Sequence, residues 1–227
     1  MVSCAGCTSF GQKRSTHCFD RQYQLPEMPT DTLYLASVSP RRRELLDQIG
    51  VRYEPRPVQV DESRQPREVP RDYVTRLARA KAETAWTLLG SDAARAVLAA
   101  DTAVVLGDLI LGKPRDRADA LAMLEKLSGR THEVLTAVAL RTARGLESRL
   151  SASRVKLRAL EPQEIESYWE TGEPRDKAGA YAIQGRAAVF IESLEGSYSG
   201  VMGLPLFETA ALLARAGIGT WMHRPGS

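Results

Sequence analysis

Apolar positions recur along the chain with two different spacings, and these predict both strands and helices. Short apolar runs, typical of buried strands, lie at Leu33–Ala36, Ala96–Leu106 and Leu109–Leu111. Apolar residues at helical spacing predict a helix from about Pro70 to Leu89. The other predicted elements are helices opening at Pro40, after Asp116 and at Pro162, strands at Glu133–Arg141, Glu147–Leu157 and Ala187–Ile191, and a last helix over Leu204–Ala216. This mixture indicates an α/β fold with a mixed sheet.

The N-terminal segment, residues 1–30, follows neither spacing and is rich in Ser, Thr, Gln, Gly and Cys. This composition predicts a disordered extension. All three cysteines lie there, and Cys4 and Cys7, with His17 and Cys18, leave a zinc knuckle as the alternative. Adjacent residues rarely reach one metal ion together, so the spacing of the second pair favours the extension.

Composition and charge narrow the class of protein. With 43% hydrophobic and 26% charged residues, the chain resembles a folded domain, which we assign to residues 31–220, with a tail at 221–227. The 31 basic and 28 acidic residues leave a net charge of +3, too small to indicate a nucleic-acid partner. No apolar run reaches the roughly 18 residues of a membrane span. We therefore expect a cytoplasmic protein that binds neither nucleic acid nor membrane.

A short loop between the first strand and the first helix has the chemistry of an anion site. Ser37 and Ser39 supply hydroxyl groups, and Pro40 opens a helix whose first amides lack intrahelical partners. Arg41 and Arg42 add forked donors that suit a polyphosphate. Because arginines oppose the helix dipole at this end, a bound anion would relieve the cost. The alternative is a capped helix with solvated arginines.

Carboxylates and lysines form a second group of candidates. Asp101 lies at the junction of an apolar strand pair, where an acid is costly to bury unless it binds a metal ion or a cation. With Glu62 it could hold Mg²⁺ or Mn²⁺, since such ions need few carboxylates beside water and phosphate. Lys81 lies on an apolar helix face, and Lys113 lies between Gly112 and Pro114, where either could neutralise phosphate charge. Turn or solvated positions remain the alternative for each residue.

A polar, glycine-rich segment at residues 176–185 is the third candidate. Its Gln184 offers both a donor and an acceptor, which can recognise the edge of a base. A plain connection between a helix and a strand explains the composition equally well.

Together these segments closely resemble the Maf family of nucleoside triphosphate pyrophosphatases from about Leu33 to Ala216. The resemblance rests on several motifs in order: Leu35-Ala36-Ser37-Val38-Ser39-Pro40-Arg41-Arg42, Ala100-Asp101-Thr102, Gly112-Lys113-Pro114, Lys126-Leu127-Ser128-Gly129, Asp176-Lys177-Ala178-Gly179-Ala180-Tyr181 and Gly203-Leu204-Pro205. In the usual loop a glycine stands where this chain has Val38. The set of motifs is far more specific than any one of them.

The resemblance implies hydrolysis of a nucleoside triphosphate to the monophosphate and pyrophosphate. It makes Asp101 the catalytic aspartate, Glu62, Lys81 and Lys113 the other charged site residues, and Ser37, Arg41 and Arg42 the phosphate loop. Thr102 and Gln184, with Arg41, are similar to the branch that acts on dTTP and UTP. The alternatives are 7-methyl-GTP or deaminated purine triphosphates as substrates, or a non-catalytic nucleotide-binding regulator of cell division. The implied fold is inosine triphosphatase-like, with two lobes around a cleft and often a homodimer.

Overall fold

The computed structural model describes residues 32–90 and 95–221, which form a mixed sheet flanked by helices. In this part of the chain the strands are β1 (Thr32–Leu35), β2 (Glu54–Pro55), β3 (Arg95–Leu106), β4 (Leu109–Leu111), β5 (Thr131–Thr142), β6 (Gly145–Leu157) and β7 (Ile191–Glu195). The helices are α1 (Pro40–Gln48), α2 (Pro70–Leu88), α3 (Arg117–Leu127), α4 (Pro162–Glu170), α5 (Tyr198–Met202) and α6 (Leu206–Ala216). The predicted α/β class is confirmed.

The sheet has the strand order β2-β1-β3-β5-β6-β7, with β4 paired to β3. Strand β1 runs parallel to both β2 and β3, whereas the pairs β3–β5, β5–β6 and β6–β7 are antiparallel. The predicted strands Glu133–Arg141 and Glu147–Leu157 correspond to the antiparallel pair β5–β6, which keeps its register from Thr131 opposite Lys156 to Thr142 opposite Gly145. This order places β3 and β5 at the centre of the sheet.

Strand β3 separates two apolar layers because successive side chains of a strand point to opposite faces. Val97 and Ala99 pack with α2 on one face. Leu98 and Ala100 pack with α1 and α6 on the other face. A third apolar cluster, around Val104 near the end of β3, includes residues of α3 and α4. Within β3, Thr102 therefore lies between Ala100 of the second layer and Val104 of the third cluster, and Asp101 lies on the other face between Ala99 and Ala103 of the α2 layer.

One predicted element is wrong. The predicted strand Ala187–Ile191 is a 3-10 helix over Arg186–Phe190, and β7 begins where that prediction ends. The predicted helix Leu204–Ala216 is confirmed as α6, which begins two residues later, and the segment before it contains the short helix α5. Gly203 ends α5 with φ of 115°, a left-handed conformation that favours glycine.

The N-terminal extension, its zinc-knuckle alternative and nearly all of the C-terminal tail lie outside the described residues. Among the helices of residues 32–90 and 95–221, none is both long and apolar enough to cross a membrane.

Candidate functional site

A cavity of about 650 Å³ opens where the apolar layers meet. Such a volume lies within the usual range for sites that bind small molecules. Its lining brings together all ten residues singled out in the sequence: Ser37, Ser39, Arg41, Arg42, Glu62, Lys81, Asp101, Thr102, Lys113 and Gln184. They come from six separate stretches of the chain, between Ser37 and Gln184, and the fold alone makes them neighbours.

The phosphate-loop candidate is a sharp connection from β1 into α1. Ser39 occupies the N-cap position before Pro40, but within the described chain its side chain makes no capping hydrogen bond. The buried Ser37 instead accepts from the backbone N–H of Ser39 through Oγ at 3.2 Å. The amides of the first helical turn are thus not satisfied by Ser39, and they remain available to an anion.

Backbone carbonyls hold the two arginines in place. Arg41 donates from Nε to the carbonyl of Met202 at 3.3 Å, and Arg42 donates to that of Gly203 at 2.7 Å. Arg42 also donates from Nη1 to Ser37 Oγ at 3.1 Å. The end of α5, which is distant in sequence, therefore orients both arginines. This orientation keeps their positive charge in the cavity.

Asp101, Lys81 and Glu62 form one connected cluster. The ammonium of Lys81, on α2, lies 2.7 Å from Asp101 Oδ1 and 2.7 Å from Glu62 Oε1. Asp101 and Lys81 have side chains only 11% and 14% exposed, whereas that of Glu62 is 60% exposed. The cluster thus runs from the interior to the mouth of the cavity. Lys81 is a buried, paired cation rather than a solvated lysine.

Burial and neighbouring charges oppose each other in this cluster. Burial raises the pKa of Asp101, and the nearby charges of Lys81 and Arg42 counteract part of that rise. Burial likewise lowers the pKa of Arg42, while Asp101 opposes the change. The carboxyl of Asp101 is consequently more basic than an ordinary aspartate.

A chain of hydroxyl groups lies beneath the arginine. Arg42 Nη2 donates to Thr102 Oγ1 at 3.4 Å, and Thr102 Oγ1 lies 3.0 Å from Thr136 Oγ1. The fully buried Thr136 donates to the carbonyl of Gly200 at 2.7 Å. Thr102, next to Asp101, thus links the phosphate loop to α5 and to the centre of β5.

Lys113 and Gln184 approach from the opposite wall of the cavity, and both are exposed. Their two segments are joined because the N–H of Gly179 donates to the carbonyl of Gly112 at 3.0 Å. Asp176, on the same wall, forms an ion pair with Lys177 and reaches Arg41 at 4.0 Å. The Asp176–Arg41 contact spans the cavity.

Asp101 and Glu62 are the candidate ligands of a divalent metal ion. In the described segments no group of three or more His, Cys, Asp or Glu residues could hold one. Asp101 and Glu62 are nevertheless close enough to share the Lys81 ammonium, which shows that two carboxylates converge on one cation. This pair fits a hard ion whose other ligands are water and substrate phosphate.

Several residues of the site escaped sequence reasoning. Tyr73 lines the cavity and donates to the carbonyl of Glu62 at 3.0 Å, although its spacing marked it only as part of an apolar helix face. Thr136 and the carbonyls of Met202 and Gly203 also carried no signal. The Gly203-Leu204-Pro205 motif pointed to that region but not to its role.

A family model and solved structures match most of this chain. The family model described as Maf-like protein matches residues 32–216. Among solved structures, a HAM1 protein from Coxiella burnetii aligns over 81% of this chain and 98% of its own, with 15% identity and a TM-score of 0.42. That structural likeness is too weak to carry an argument.

Similar proteins of known name align over most of their length. The dTTP/UTP pyrophosphatase of Cupriavidus pinatubonensis is 56% identical over 82% of this chain and 97% of its own. That of Alkalilimnicola ehrlichii is 59% identical over 80% and 91%. That of Hahella chejuensis is 52% identical over 83% and 94%. The chain belongs to the Maf-like protein family.

Proposed function

We propose that the protein hydrolyses nucleoside triphosphates, above all dTTP and UTP, to the monophosphate and pyrophosphate. One observation carries this proposal: the start of α1 with its arginines and the Asp101–Lys81–Glu62 cluster line the same cavity. A contact joins the two halves, because Arg42 hydrogen-bonds the residue that follows Asp101. An anion-binding helix start beside a basic carboxylate suits hydrolysis of a phosphoanhydride.

The phosphates bind first in this mechanism. The first-turn amides of α1, the Ser37 hydroxyl and the guanidinium groups of Arg41 and Arg42 bind the chain of phosphates, and Lys113 contacts it from the opposite wall. Among the described residues, the lining holds five cations and three carboxylates, an excess that attracts a polyanion. Since the backbone already orients the arginines, little reorganisation is needed when charge develops.

The water that attacks the α-phosphorus is activated by Asp101. Lys81 holds one carboxylate oxygen of Asp101, and the other accepts the proton of the water. Burial makes this carboxyl more basic, which improves it as a proton acceptor. The bond from the α-phosphorus to the bridging oxygen breaks, and pyrophosphate leaves with its charge balanced by Lys113, Arg41 and Arg42.

A divalent ion, Mg²⁺ or Mn²⁺, would be held by Asp101 and Glu62 with the substrate phosphates. When bound, it supplies positive charge to the phosphate oxygens and orients the water. Lys81, which pairs with both carboxylates, would then keep the carboxylates in position from the side of α2.

The base preference rests on Thr102 and Gln184, which line the cavity on opposite walls. The relatives named dTTP/UTP pyrophosphatase support thymine and uracil as the bases. Gln184 has a donor and an acceptor, which match the carbonyl and imino N–H of either base. Substrates such as 7-methyl-GTP or dITP are the alternatives that a substrate panel separates.

Asp101→Asn tests the reaction. The amide cannot accept the proton of water, so we expect pyrophosphate release from dTTP to fall about 10²–10⁴-fold while the protein stays folded. The matched control is Asp108→Asn, which changes an exposed aspartate in the turn between β3 and β4 and should leave turnover unchanged.

A panel of dTTP, UTP, dCTP, dITP and 7-methyl-GTP with pyrophosphate detection completes that experiment. Near-normal turnover by Asp101→Asn would remove Asp101 from the mechanism. Nucleotide binding with no pyrophosphate from any substrate, with Mg²⁺ or Mn²⁺ present, would favour the non-catalytic regulator instead.

We further propose that the protein acts in the cytoplasm as a homodimer, with the nucleotide as its only partner of another kind. The nearly balanced charge supports the absence of a nucleic-acid partner. Phe207, 83% exposed at the start of α6, supports an interface between two copies. Light scattering on the purified protein tests this assembly, and a monomer mass at all concentrations would contradict it.

A further inference from the structure

Glu173, between α4 and the segment that carries Gln184, is the centre of a hydrogen-bonded node. Its Oε1 accepts from the hydroxyl of Tyr168 at 2.6 Å, and its Oε2 accepts from the backbone N–H of Arg186 at 3.0 Å. The N–H of Ala187 also donates to the Glu173 carboxylate, at 3.4 Å. One carboxylate thus binds the side chain of a helix and the backbone of a remote loop.

Tyr168 extends the node to the other end of the same loop. Its hydroxyl, which donates to Glu173, also accepts from the N–H of Ala182 at 3.2 Å. The ring is buried and packs edge-on against Phe190, with centroids 5.3 Å apart. Both ends of residues 182–187 are therefore fixed to this Tyr168–Glu173 pair, and Gln184 lies between them.

The Glu173 carboxylate lies so close to the backbone of residue 185 that this residue must be glycine. A Cβ at Gly185 would lie 2.4 Å from Glu173 Oε2 and 2.5 Å from its Oε1. The residue beside Gln184 thus has its backbone directly against the carboxylate. Any residue larger than glycine would displace the carboxylate or the loop.

Charge strengthens these bonds. Burial would raise the pKa of Glu173, but the hydrogen bonds from Tyr168, Arg186 and Ala187 together lower the pKa below its ordinary value. The carboxylate is therefore ionised at neutral pH, and hydrogen bonds to a charged acceptor are stronger than those between neutral groups.

We propose that Glu173, with Tyr168, is a positioning residue for base selection, which holds the loop of Gln184 at the distance and orientation that distinguish thymine and uracil from cytosine. The inference rests on the proposed function, since it gives Gln184 the role of contacting the base. It also predicts that base selection and phosphate binding depend on different residues. The phosphate-binding groups belong to α1, to β3 and to the loop of Lys113, and none of them is a partner of Glu173 in the described structure.

Glu173→Gln is the principal test, measured with dTTP and dCTP. The amide places an N–H group against backbone N–H donors, so the loop loses its fixed position. We expect the ratio of kcat/KM for dTTP to that for dCTP to fall about tenfold, the size of one hydrogen bond lost to a base edge. The loss should lie in KM for dTTP, with kcat within about threefold of the unmodified protein.

Inorganic tripolyphosphate, which has no base, separates positioning from general damage. Its inhibition constant against dTTP hydrolysis should be unchanged in Glu173→Gln, because the phosphate loop is intact. The control variant is Glu195→Gln, an exposed glutamate of β7 paired with Arg154, which should change none of these values. An unchanged dTTP/dCTP ratio, or an inhibition constant that rises together with KM, would overturn the proposal.

A second route covers the case in which Glu173→Gln does not fold. Tyr168→Phe removes a single oxygen, so it should lower the dTTP/dCTP ratio with an unchanged tripolyphosphate inhibition constant, and wild-type discrimination in this variant counts against the node. If the unmodified protein releases no pyrophosphate, the proposed function has failed. The inference is then tested separately by calorimetry of dTTP and dCTP binding to the unmodified protein and to Glu173→Gln. An equal loss of affinity for both nucleotides in the variant refutes it.

Discussion

His132 on β5 is a buried, ionisable residue that the proposed mechanism does not use. It is 3% exposed, and its Nε2 lies 2.8 Å from the hydroxyl of Tyr181, whose ring meets it edge-on. Within the described structure its Nδ1 is buried without a hydrogen-bond partner. Burial lowers the pKa of His132 to about 4, so the imidazole is neutral in the folded protein at neutral pH.

This residue makes stability depend on pH. Because the folded pKa lies below the unfolded value of 6.5, the unfolded chain binds more protons between pH 6.5 and about 4. The free energy of unfolding therefore falls as pH falls through that window, by about 3 kcal/mol in total. We expect His132→Gln, which keeps a polar tip for Tyr181, to remove this component. Urea unfolding at several pH values measures it, and parallel curves for the two proteins would contradict the prediction.

Residue chemistry made much of the site predictable from the sequence. A carboxylate such as Asp101 among the apolar residues of a strand needs a partner, and consecutive arginines at a helix start need an anion, so both patterns stand out locally. The orientation of Arg41 and Arg42 was not predictable, since it depends on carbonyls about 160 residues away, and every residue has a carbonyl. Thr136 was missed for a related reason, because an isolated threonine is typical of any strand.

At the scale of elements, the loop between β2 and α2 carries Glu62 and is fastened at its far end by an ion pair. Arg76, on α2, donates to both carboxylate oxygens of Glu68, at 2.6 and 2.9 Å, and to the carbonyl of Ser63 at 2.9 Å. The bidentate geometry and the nearly buried Glu68 make this pair firmer than an ordinary surface contact. The loop next to a proposed metal ligand is thus held by the neighbouring helix.

Arg76→Gln should release that loop. Glutamine cannot form the bidentate pair or reach Ser63 as well, so we expect trypsin to cleave after Arg64 or Arg67 several-fold faster than in the unmodified protein. Mass spectrometry of early fragments locates the cuts. The matched control is Arg79→Gln, on the same helix, whose exposed side chain bonds only the Ser148 hydroxyl among the described contacts. Equal cleavage rates in the two variants would show that the pair does not hold the loop.

Elements with a clear hydrophobic period, or with proline or glycine at their ends, were predicted well. Elements that depend on contacts with residues remote in sequence were not. Helix α2 begins at Pro70 as predicted, and the predicted strands Ala96–Leu106 and Leu109–Leu111 are β3 and β4, with their facing ends where they were predicted. The segment Ala187–Ile191 has strand-forming residues, yet bonds from Arg186 and Ala187 to the remote Glu173 accompany a 3-10 helix. Tertiary contacts of this kind override local propensity.

At the scale of the whole molecule, the site lies along β3, where three apolar clusters meet. Two of them pack around Val97 and Leu98 on the two faces of the sheet, and the third packs around Val104. Gly179, in the segment that leads to Gln184, contacts Val104 and bonds the carbonyl of Gly112. The wall of the cavity therefore depends on one glycine fitting closely against the central strand.

Gly179→Ala tests that dependence against a matched glycine. Gly107 and Gly179 have similar positive φ values, 62° and 69°, but a Cβ at Gly107 meets nothing within 4 Å. At Gly179 it would lie 2.9 Å from Val104 Cγ1, and a valine side chain cannot rotate away cheaply. We expect Gly107→Ala to cost about 1–2 kcal/mol from backbone strain alone. Gly179→Ala should cost about 1–3 kcal/mol more from overpacking.

The combination with Val104→Ala isolates the contact itself. Removing the two methyl groups relieves the two closest approaches and leaves only Cβ of residue 104, at 3.1 Å, so Gly179→Ala should cost clearly less in that background, while Gly107→Ala should cost the same in both. Urea denaturation of the single and double variants measures the coupling. If the cost of Gly179→Ala is unchanged when Val104 is alanine, the wall and the central strand are not packed as described. The contact of Gly179 with Val104 would then play no part in placing Gln184 relative to Asp101.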